Sequence, residues 1–232
     1  METRFSRHVA AKRSDHRFPA AYFRALPHDE TTMKLYYTPG TCSLAAHILL
    51  RELGIRFELD RVDHSTKRTE QGEDFLQINA KGYVAALRLD NGEVLTEGAA
   101  ILLYLADVAG VEFSVPTSAI GAARLHEWLI YVAAELHPTF GPLFHPESPE
   151  AREKAQARLH AKLDYVEATL SDNRRYLLGG SISIADLYLF VVVGWTAHLN
   201  IDTAPWPHLQ ALLLRIGERP AAKEAMAFEG LI

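Results

Sequence analysis

Apolar and polar positions form a regular pattern from residue 33 onward. Residues 34–38 predict a strand. Residues 44–53 carry apolar side chains at intervals of four, which predicts an amphipathic helix ending at Gly54. Residues 56–62 alternate in polarity and predict a second strand. A strand, a helix and a strand in this order indicate a parallel pair joined by a right-handed crossover.

A hairpin and a further helix follow this first unit. Asn91 and Gly92 separate two short alternating runs, 86–89 and 93–95, and an Asn-Gly pair in this position strongly favours a β-hairpin. A helix is predicted to begin near Glu97. The order β-α-β, β-hairpin, α predicts an α/β thioredoxin-like domain over residues 33–110.

The remainder of the chain has helical periodicity. Residues 111–117 predict a linker, and residues 118–232 an all-α helical bundle domain. Its first long helix is expected to end at His137, and a second to span about 149–170. Ser183 and Asp186 match a capping box, with aspartate in place of the usual glutamate. The apolar run after them predicts a buried helix.

Residues 1–32 differ from the rest because they are rich in Arg and His and lack an apolar periodicity. Basic segments of this kind can be organelle-targeting peptides, but four acidic residues weaken that interpretation. We expect a disordered leader, or an upstream start added to a domain that begins at Met33.

The amino-acid composition argues against several classes of function. The 232 residues are 48% hydrophobic and 23% charged, with a formal net charge of -5 and one cysteine. This balance is ordinary for a globular protein and does not favour nucleic-acid binding.

No apolar run is long enough to span a bilayer, which predicts no membrane association. One thiol excludes a disulfide scaffold and fits a reducing compartment, so we expect a cytoplasmic protein. The histidines lack metal-ligand spacing, and no metal is expected.

Cys42 is the first candidate for chemistry. It follows a Pro-Gly turn and precedes a helix, where unpaired backbone N–H groups and the helix dipole favour a thiolate. A lone cysteine is more often a small buried apolar residue. The helix-start position favours a function here, with a depressed pKa. Because no second cysteine is present, disulfide chemistry would require a mixed disulfide with a small thiol.

Three further positions are ambiguous from their pattern alone. Glu97 and Gly98 at a helix start could bind a ligand carboxylate, or Glu97 could merely complement the helix dipole. His137 could satisfy helix-end carbonyls or donate a proton to a bound thiol. Lys67 and Arg68 in a polar loop have the pattern of solvated charges.

The chain from Met33 onward resembles a bacterial glutathione S-transferase of the beta class. The resemblance covers about 200 residues and is carried by several short segments in order. They are residues 33–44, 66–70, 89–92, 95–98, 127–129, 135–137, 142–144, 185–186 and 229–232.

The resemblance implies a homodimer that uses glutathione as co-substrate in detoxification. Cys42 would contact or bond the glutathione sulfur, with His137 as a second catalytic residue. Asp186 would be a buried capping aspartate. The implied glutathione-binding residues are Cys42, Lys67, Val84, Glu97, Gly98, Glu135 and His137.

The chain departs from the family pattern at three positions. Ala80 and Ala85 replace prolines, and Ile130 stands where the family often has a polar Asn. A cis bond before a non-proline residue is costly, so we expect a trans Val84–Ala85 bond, a rebuilt loop and weaker glutathione binding.

The expected activity is transfer of glutathione to small electrophiles, thiol–disulfide exchange through Cys42, or both; the sequence does not separate them. The alternative is a non-catalytic ligand-binding or partner-binding module. A pocket for the second substrate is expected near Tyr37, Phe140 and Trp195.

Overall fold

The computed structural model describes residues 33–109, 113 and 116–232. The predicted leader, 1–32, and most of the predicted linker, 111–117, lie outside the described residues.

The first part of the chain forms a four-stranded sheet with helices packed against it. Its elements are β1 (Met33–Tyr37), α1 (Ser43–Glu52), β2 (Phe57–Arg61), α2 (Phe75–Ile78), β3 (Ala86–Arg88), β4 (Val94–Thr96) and α3 (Gly98–Ala109).

The sheet has the strand order β2-β1-β3-β4. β1 pairs with β2 in parallel, with Leu35 opposite Leu59, and with β3 in antiparallel orientation, with Leu35 opposite Leu87. The predicted hairpin joins β3 to β4, and Gly92 adopts a positive φ of 85° in its turn, a conformation that glycine allows at low cost. The predicted α/β thioredoxin-like fold is confirmed.

The second part of the chain is helical, as predicted. Its elements are α4 (Ala119–Ile130), a π-helical stretch (Tyr131–Leu136), α5 (His137–Phe144), α6 (Pro149–Leu170), α7 (Ile184–His198), α8 (Pro207–Gly217) and α9 (Pro220–Phe228).

The expectation that a helix ends at His137 is wrong. The chain passes from α4 through the π-helical stretch directly into α5, which begins at His137. Pro138 lies in the first turn of α5, where its missing N–H group costs little. A wider turn of this kind often occurs at functional sites, and here it precedes a candidate catalytic residue.

The capping box before α7 is confirmed. Asp186 is fully buried; its Oδ2 accepts from the Ser183 N–H and hydroxyl groups at 2.8 and 2.6 Å, and its Oδ1 accepts from Leu177 N at 2.8 Å. Burial raises the pKa of Asp186 to about 6, although these hydrogen bonds act in the opposite direction. The carboxylate thus joins the start of α7 to the preceding loop.

One hydrophobic core extends through both parts of the chain. Apolar residues of α1, α3 and α7 pack together without a break, including Leu49, Leu102 and Leu189. Burial on this scale is the main stabilising contribution to such a fold. No helix in the described part of the chain is long and apolar enough to cross a membrane.

Candidate active site

Cys42 lies immediately before α1, after the turn that follows β1. Its side chain is partly buried, and its Sγ donates a hydrogen bond to the Val84 carbonyl oxygen at 3.6 Å. Two chain segments that the resemblance assigns to glutathione binding therefore meet at this thiol.

The turn before Cys42 is held from the helical part of the chain. The N–H group of Gly40 donates to Glu229 Oε2 at 2.9 Å, and its carbonyl oxygen accepts from Trp195 Nε1 at 2.8 Å. Gly40 has a φ of 71°, and a Cβ there would lie 3.2 Å from a methyl carbon of Leu231. A side chain at position 40 would therefore meet both backbone strain and crowding.

Glu229 belongs to a buried polar chain. Arg51 Nε donates to His47 Nε2 at 2.9 Å, and His47 Nδ1 lies 2.9 Å from Glu229 Oε1. Because Arg51 can only donate, Nε2 of His47 is an acceptor and the ring proton lies on Nδ1, facing Glu229. Arg51, His47 and Glu229 thus connect α1 to the C-terminal segment and, through Glu229, to Gly40.

The expected depressed pKa of Cys42 is not what the structure shows. The pKa of the thiol is raised to about 11, mainly by burial and to a smaller extent by the charge of Glu97. Backbone N–H groups, including those of Ser43 and Ala85, oppose this shift but do not outweigh it. In the ligand-free protein Cys42 is therefore a protonated thiol near neutral pH.

The expected trans bond between Val84 and Ala85 is also wrong, since the bond is cis. Packing on both sides fixes this segment. Ala85 is buried and leads into β3, where Ala86 pairs with Tyr36, and Asn79 Nδ2 donates to the Tyr83 carbonyl oxygen at 2.7 Å. The Val84 carbonyl oxygen of this segment faces Cys42.

Lys67 lies beside the segment that carries Val84. Its ammonium group donates to the Gly82 carbonyl oxygen at 2.9 Å and lies 5.6 Å from the centre of the Tyr83 ring. The backbone of Lys67 has a positive φ of 54°. An ammonium group is thus available for a carboxylate near Val84.

Glu97 lies between β4 and α3 with a positive φ of 72°. Its carboxylate is 70% exposed and accepts from the Lys81 ammonium group at 2.5 Å. The Lys81 ammonium group also donates to Thr96 Oγ1 at 2.8 Å. Glu97 therefore already binds one ammonium group, and Gly98 directly after it begins α3.

His137 lies between two aromatic side chains of α7. Its Nδ1 is 3.3 Å from the Tyr188 hydroxyl group, and its ring centre is 4.8 Å from that of Trp195 in an edge contact. Burial lowers the pKa of His137, so the imidazole is neutral near pH 7. The Tyr188 hydroxyl group also approaches Gly98, since a Cβ on Gly98 would lie 3.8 Å from it. Tyr188 thus connects His137 to the start of α3.

Glu135 has a different neighbour. Its exposed carboxylate accepts from the Lys162 ammonium group at 2.7 Å, in a contact between the π-helical stretch and α6. Ile130 is 63% exposed at the end of α4. The described contacts of one chain therefore do not bring Glu135 to Cys42.

The three aromatic residues predicted to line a second pocket divide into two groups. Phe140 and Trp195 are in edge contact at 5.3 Å, next to His137. Tyr37 instead packs against His47 and Phe228 at 6.3 Å each. The structure therefore brings two of the three together.

Comparisons with known proteins agree with this geometry. The family model for the glutathione S-transferase N-terminal domain matches residues 40–108, and the model for the C-terminal domain matches residues 131–220. Glutathione S-transferase GstA of Escherichia coli O157:H7 is 44% identical over 201 residues, which is 86% of this chain and all of that protein. The chain belongs to the glutathione S-transferase family.

Solved structures extend this result. A sphingomonad glutathione S-transferase complexed with glutathione is 43% identical, with a TM-score of 0.80, and the match covers 86% of this chain and all of that one. A beta-class transferase of Sphingomonas chungbukensis is 42% identical, with the same TM-score and the same coverage. The resemblance to bacterial beta-class transferases is confirmed, and glutathione is the co-substrate of this enzyme.

The structure of this transferase adds residues that the sequence did not single out as part of the site. Tyr188 lies in an apolar helix, where the sequence pattern does not distinguish one aromatic residue from the core residues around it. Lys81 lies in a polar loop, and only the fold shows that it reaches Glu97. No group of three or more His, Cys, Asp or Glu within the described ranges could hold a metal ion.

Proposed function

We propose that this glutathione transferase conjugates glutathione to small electrophiles, with Cys42 acting as a hydrogen-bond donor to the glutathione thiolate. The observation that carries the proposal is the Cys42 Sγ hydrogen bond to the Val84 carbonyl oxygen at 3.6 Å. It places a protonated thiol beside the backbone that is expected to hold the cysteinyl part of glutathione.

Charges of the described residues match the ends of glutathione. The Glu97 carboxylate would take the γ-glutamyl ammonium group in place of Lys81, because an exposed ion pair is readily exchanged. The N–H groups at the start of α3, beginning with Gly98, would take the neighbouring carboxylate. The Lys67 ammonium group would pair with a glutathione carboxylate. We keep Glu135 as a proposed ligand, although Lys162 binds it in this chain.

Binding would change the hydrogen bond of Cys42. The cysteinyl N–H group of glutathione would donate to the Val84 carbonyl oxygen and displace the Cys42 thiol from it. The thiol would then be free to donate to the glutathione sulfur. A donor aimed at an anion in a partly buried site stabilises that anion. The glutathione proton would leave to solvent, and the pKa of the bound glutathione thiol would fall.

His137 would be a second donor to the same sulfur. Its imidazole is neutral because burial lowers its pKa, and its Nε2 has no hydrogen-bond partner among the described residues. The thiolate then attacks the electrophilic carbon; a sulfur–carbon bond forms, and the bond to a leaving group such as halide breaks. Trp195 lies next to His137 and would contribute to the pocket for this substrate, with the fully buried Phe140 packed against it.

Thiol–disulfide exchange is the second candidate. It is supported by the partly exposed position of Cys42, the one cysteine of the chain. The Cys42 thiolate would attack a glutathione disulfide, form a mixed disulfide and release a thiolate, and a second glutathione would restore the free thiol. The raised pKa of Cys42 makes this reaction slow near neutral pH.

We also propose that the enzyme acts in cytoplasmic detoxification and that its two domains span residues 33–110 and 118–232.

We propose further that the enzyme is a homodimer. The dimer is supported by exposed apolar side chains around α4. Ile130 and Tyr165 are 63% and 51% exposed, and Tyr165 contacts the rings of Trp128 and Tyr131. Light scattering on the purified protein would test the dimer.

Paired assays on wild type and Cys42→Ala separate the two activities. The first uses reduced glutathione with 1-chloro-2,4-dinitrobenzene, and the second uses a mixed disulfide of glutathione. We expect wild type to be retained on glutathione resin, and Cys42→Ala to keep part of its conjugation activity while losing all exchange. Conjugation abolished together with exchange, in a folded and resin-retained variant, would contradict the donor role.

A further inference from the structure

Tyr188 is a buried polar residue in the middle of the apolar helix α7. Its side chain is 4% exposed, and its hydroxyl group has one hydrogen-bond partner among the described residues, His137 Nδ1 at 3.3 Å. The same hydroxyl group approaches Gly98. The charges of Cys42 and Glu97 both raise the pKa of Tyr188, after burial, which is the larger cause. Its surroundings therefore link it to the proposed glutathione site.

The direction of the hydrogen bond between Tyr188 and His137 can be deduced by asking which buried donor has an acceptor in each tautomer. If His137 Nδ1 carried the proton, the Tyr188 oxygen would accept it and the Tyr188 hydroxyl hydrogen would have no acceptor among the described residues. A buried donor without an acceptor is unfavourable. If Tyr188 donates instead, its buried hydroxyl hydrogen has an acceptor, and the proton of the neutral imidazole must lie on Nε2 of His137, a residue that is only partly buried.

We propose that Tyr188 is a positioning residue for His137: its hydroxyl group donates to Nδ1 and thereby holds the imidazole in the Nε2–H tautomer. Trp195, two turns further along α7, contacts the same ring edge-on at 4.8 Å. The two side chains together restrict the ring orientation, and the hydrogen bond adds the choice of tautomer.

The tautomer of His137 determines which ring nitrogen can donate a hydrogen bond to the substrate. Nε2 has no partner among the described residues, so a proton held there is available to a ligand. An Nδ1–H tautomer would present a lone pair at Nε2, which repels a thiolate. The tautomer set by Tyr188 therefore determines whether His137 assists the proposed function or opposes it, and this step rests on that function.

The tautomer can be read directly by nitrogen-15 NMR of the imidazole side chains in the ligand-free enzyme. The chain has 11 histidines, and the His137 signals are those that disappear in His137→Asn. We expect a protonated Nε2 and an unprotonated Nδ1 in wild type. Tyr188→Phe should shift the His137 signals toward a mixture of tautomers. A wild-type His137 protonated on Nδ1, or unchanged signals in the folded Tyr188→Phe variant, would overturn the proposal.

Tyr104→Phe is the matched control. Tyr104 is a half-buried tyrosine of α3 whose neighbouring charges, Asp90 and Glu93, belong to the hairpin rather than to the site. The control variant makes the same chemical change and should leave the His137 signals unchanged. A shift of equal size in both variants would indicate a general structural effect and would contradict the proposal.

Kinetics provide a second readout with glutathione and 1-chloro-2,4-dinitrobenzene. Tyr188→Phe should lower kcat about five-fold, comparable to the loss of one hydrogen bond, with an unchanged KM for glutathione. An unchanged kcat together with a shifted tautomer would refute the link to catalysis. If wild type itself fails to conjugate glutathione, the proposed function fails, and the NMR result still decides the positioning role. If Tyr188→Phe does not fold, the wild-type spectrum alone decides the tautomer.

Discussion

The residue that carries the proposed chemistry, Cys42, shows how local position and burial can oppose each other. Its place before α1 exposes it to backbone N–H groups, which favour the thiolate. The surrounding packing removes water from the same thiol and raises its pKa to about 11. Burial is the larger effect, because a few N–H groups replace only part of the lost solvation. Cys42 in the free enzyme is therefore a donor rather than a nucleophile.

Alkylation of Cys42 should show this directly. With a pKa of about 11, the thiolate fraction and hence the rate of reaction with iodoacetamide should rise about ten-fold per pH unit from pH 7 to roughly pH 9.5. A simple thiol, with a pKa of about 8.5, should react faster at neutral pH and level off within that range. Mass spectrometry of the ligand-free protein gives the rate. A plateau below about pH 8 would show instead that the helix start dominates.

Helix α7 positions several parts of the site. Its capping box fixes its start, Tyr188 reaches His137, and Trp195 holds the Gly40 carbonyl oxygen. Asp186 accepts three hydrogen bonds while fully buried, so its two oxygens satisfy two backbone N–H groups and one hydroxyl group.

Asp186→Asn tests the contribution of this cap. The amide would place an NH2 group opposite either the Leu177 N–H group or the Ser183 donors, leaving a buried donor without an acceptor. We expect the free energy of unfolding to fall by about 1–3 kcal/mol, measured by urea denaturation at pH 7. Asp107→Asn, an exposed position on α3, is the control and should leave the unfolding curve in place. Equal curves for all three proteins would contradict the proposed importance of the cap.

The C-terminal segment of the chain is hydrogen-bonded to the turn before Cys42. Glu229 accepts from both Gly40 and His47, which lie 189 and 182 positions before it in the sequence. The core that joins α1, α3 and α7 is continuous, so the two parts of the chain support each other. The site therefore depends on contacts between the two parts as well as on the thioredoxin-like part itself.

The variant Glu229→Gln tests whether this long-range contact contributes more to stability than an exposed ion pair does. Glutamine keeps the size but turns a donor toward Gly40 or His47, and we expect a loss of about 1–3 kcal/mol in the free energy of unfolding. Conjugation activity per folded molecule should also fall, because the Gly40 turn positions Cys42. Glu224→Gln, which changes the exposed partner of Arg51, is the matched control and should change neither. Equal stability and equal activity of the two variants would contradict the proposed role of Glu229.

The sequence was sufficient for features that arise from neighbouring residues. The β-α-β unit, the Asn91-Gly92 hairpin, α6 and the Ser183–Asp186 box all follow from local periodicity and turn chemistry, and the structure contains each of them. The raised pKa of Cys42 and the Val84–Ala85 geometry depend on tertiary packing, which no local pattern encodes.

Contacts between site residues that are distant in sequence could not be predicted from local patterns either. Tyr188 meets His137 across 51 positions, and Glu229 meets Gly40 across 189. A resemblance to a family can suggest that such residues share a site, but it does not give the donors and acceptors. Those contacts follow from the packing of α7 and the C-terminal segment against the turn before Cys42.

In the proposed function, Cys42 stabilises the thiolate of bound glutathione as a protonated donor. This role can be tested by an ultraviolet titration of the thiolate in the glutathione complex, with wild type compared with Cys42→Ala. We predict that bound glutathione ionises well below the usual thiol pKa of about 8.5 in wild type, and closer to that value in Cys42→Ala. Cys42 itself would ionise only near pH 11, outside this range. The same low pKa for glutathione bound to both proteins would contradict the claim.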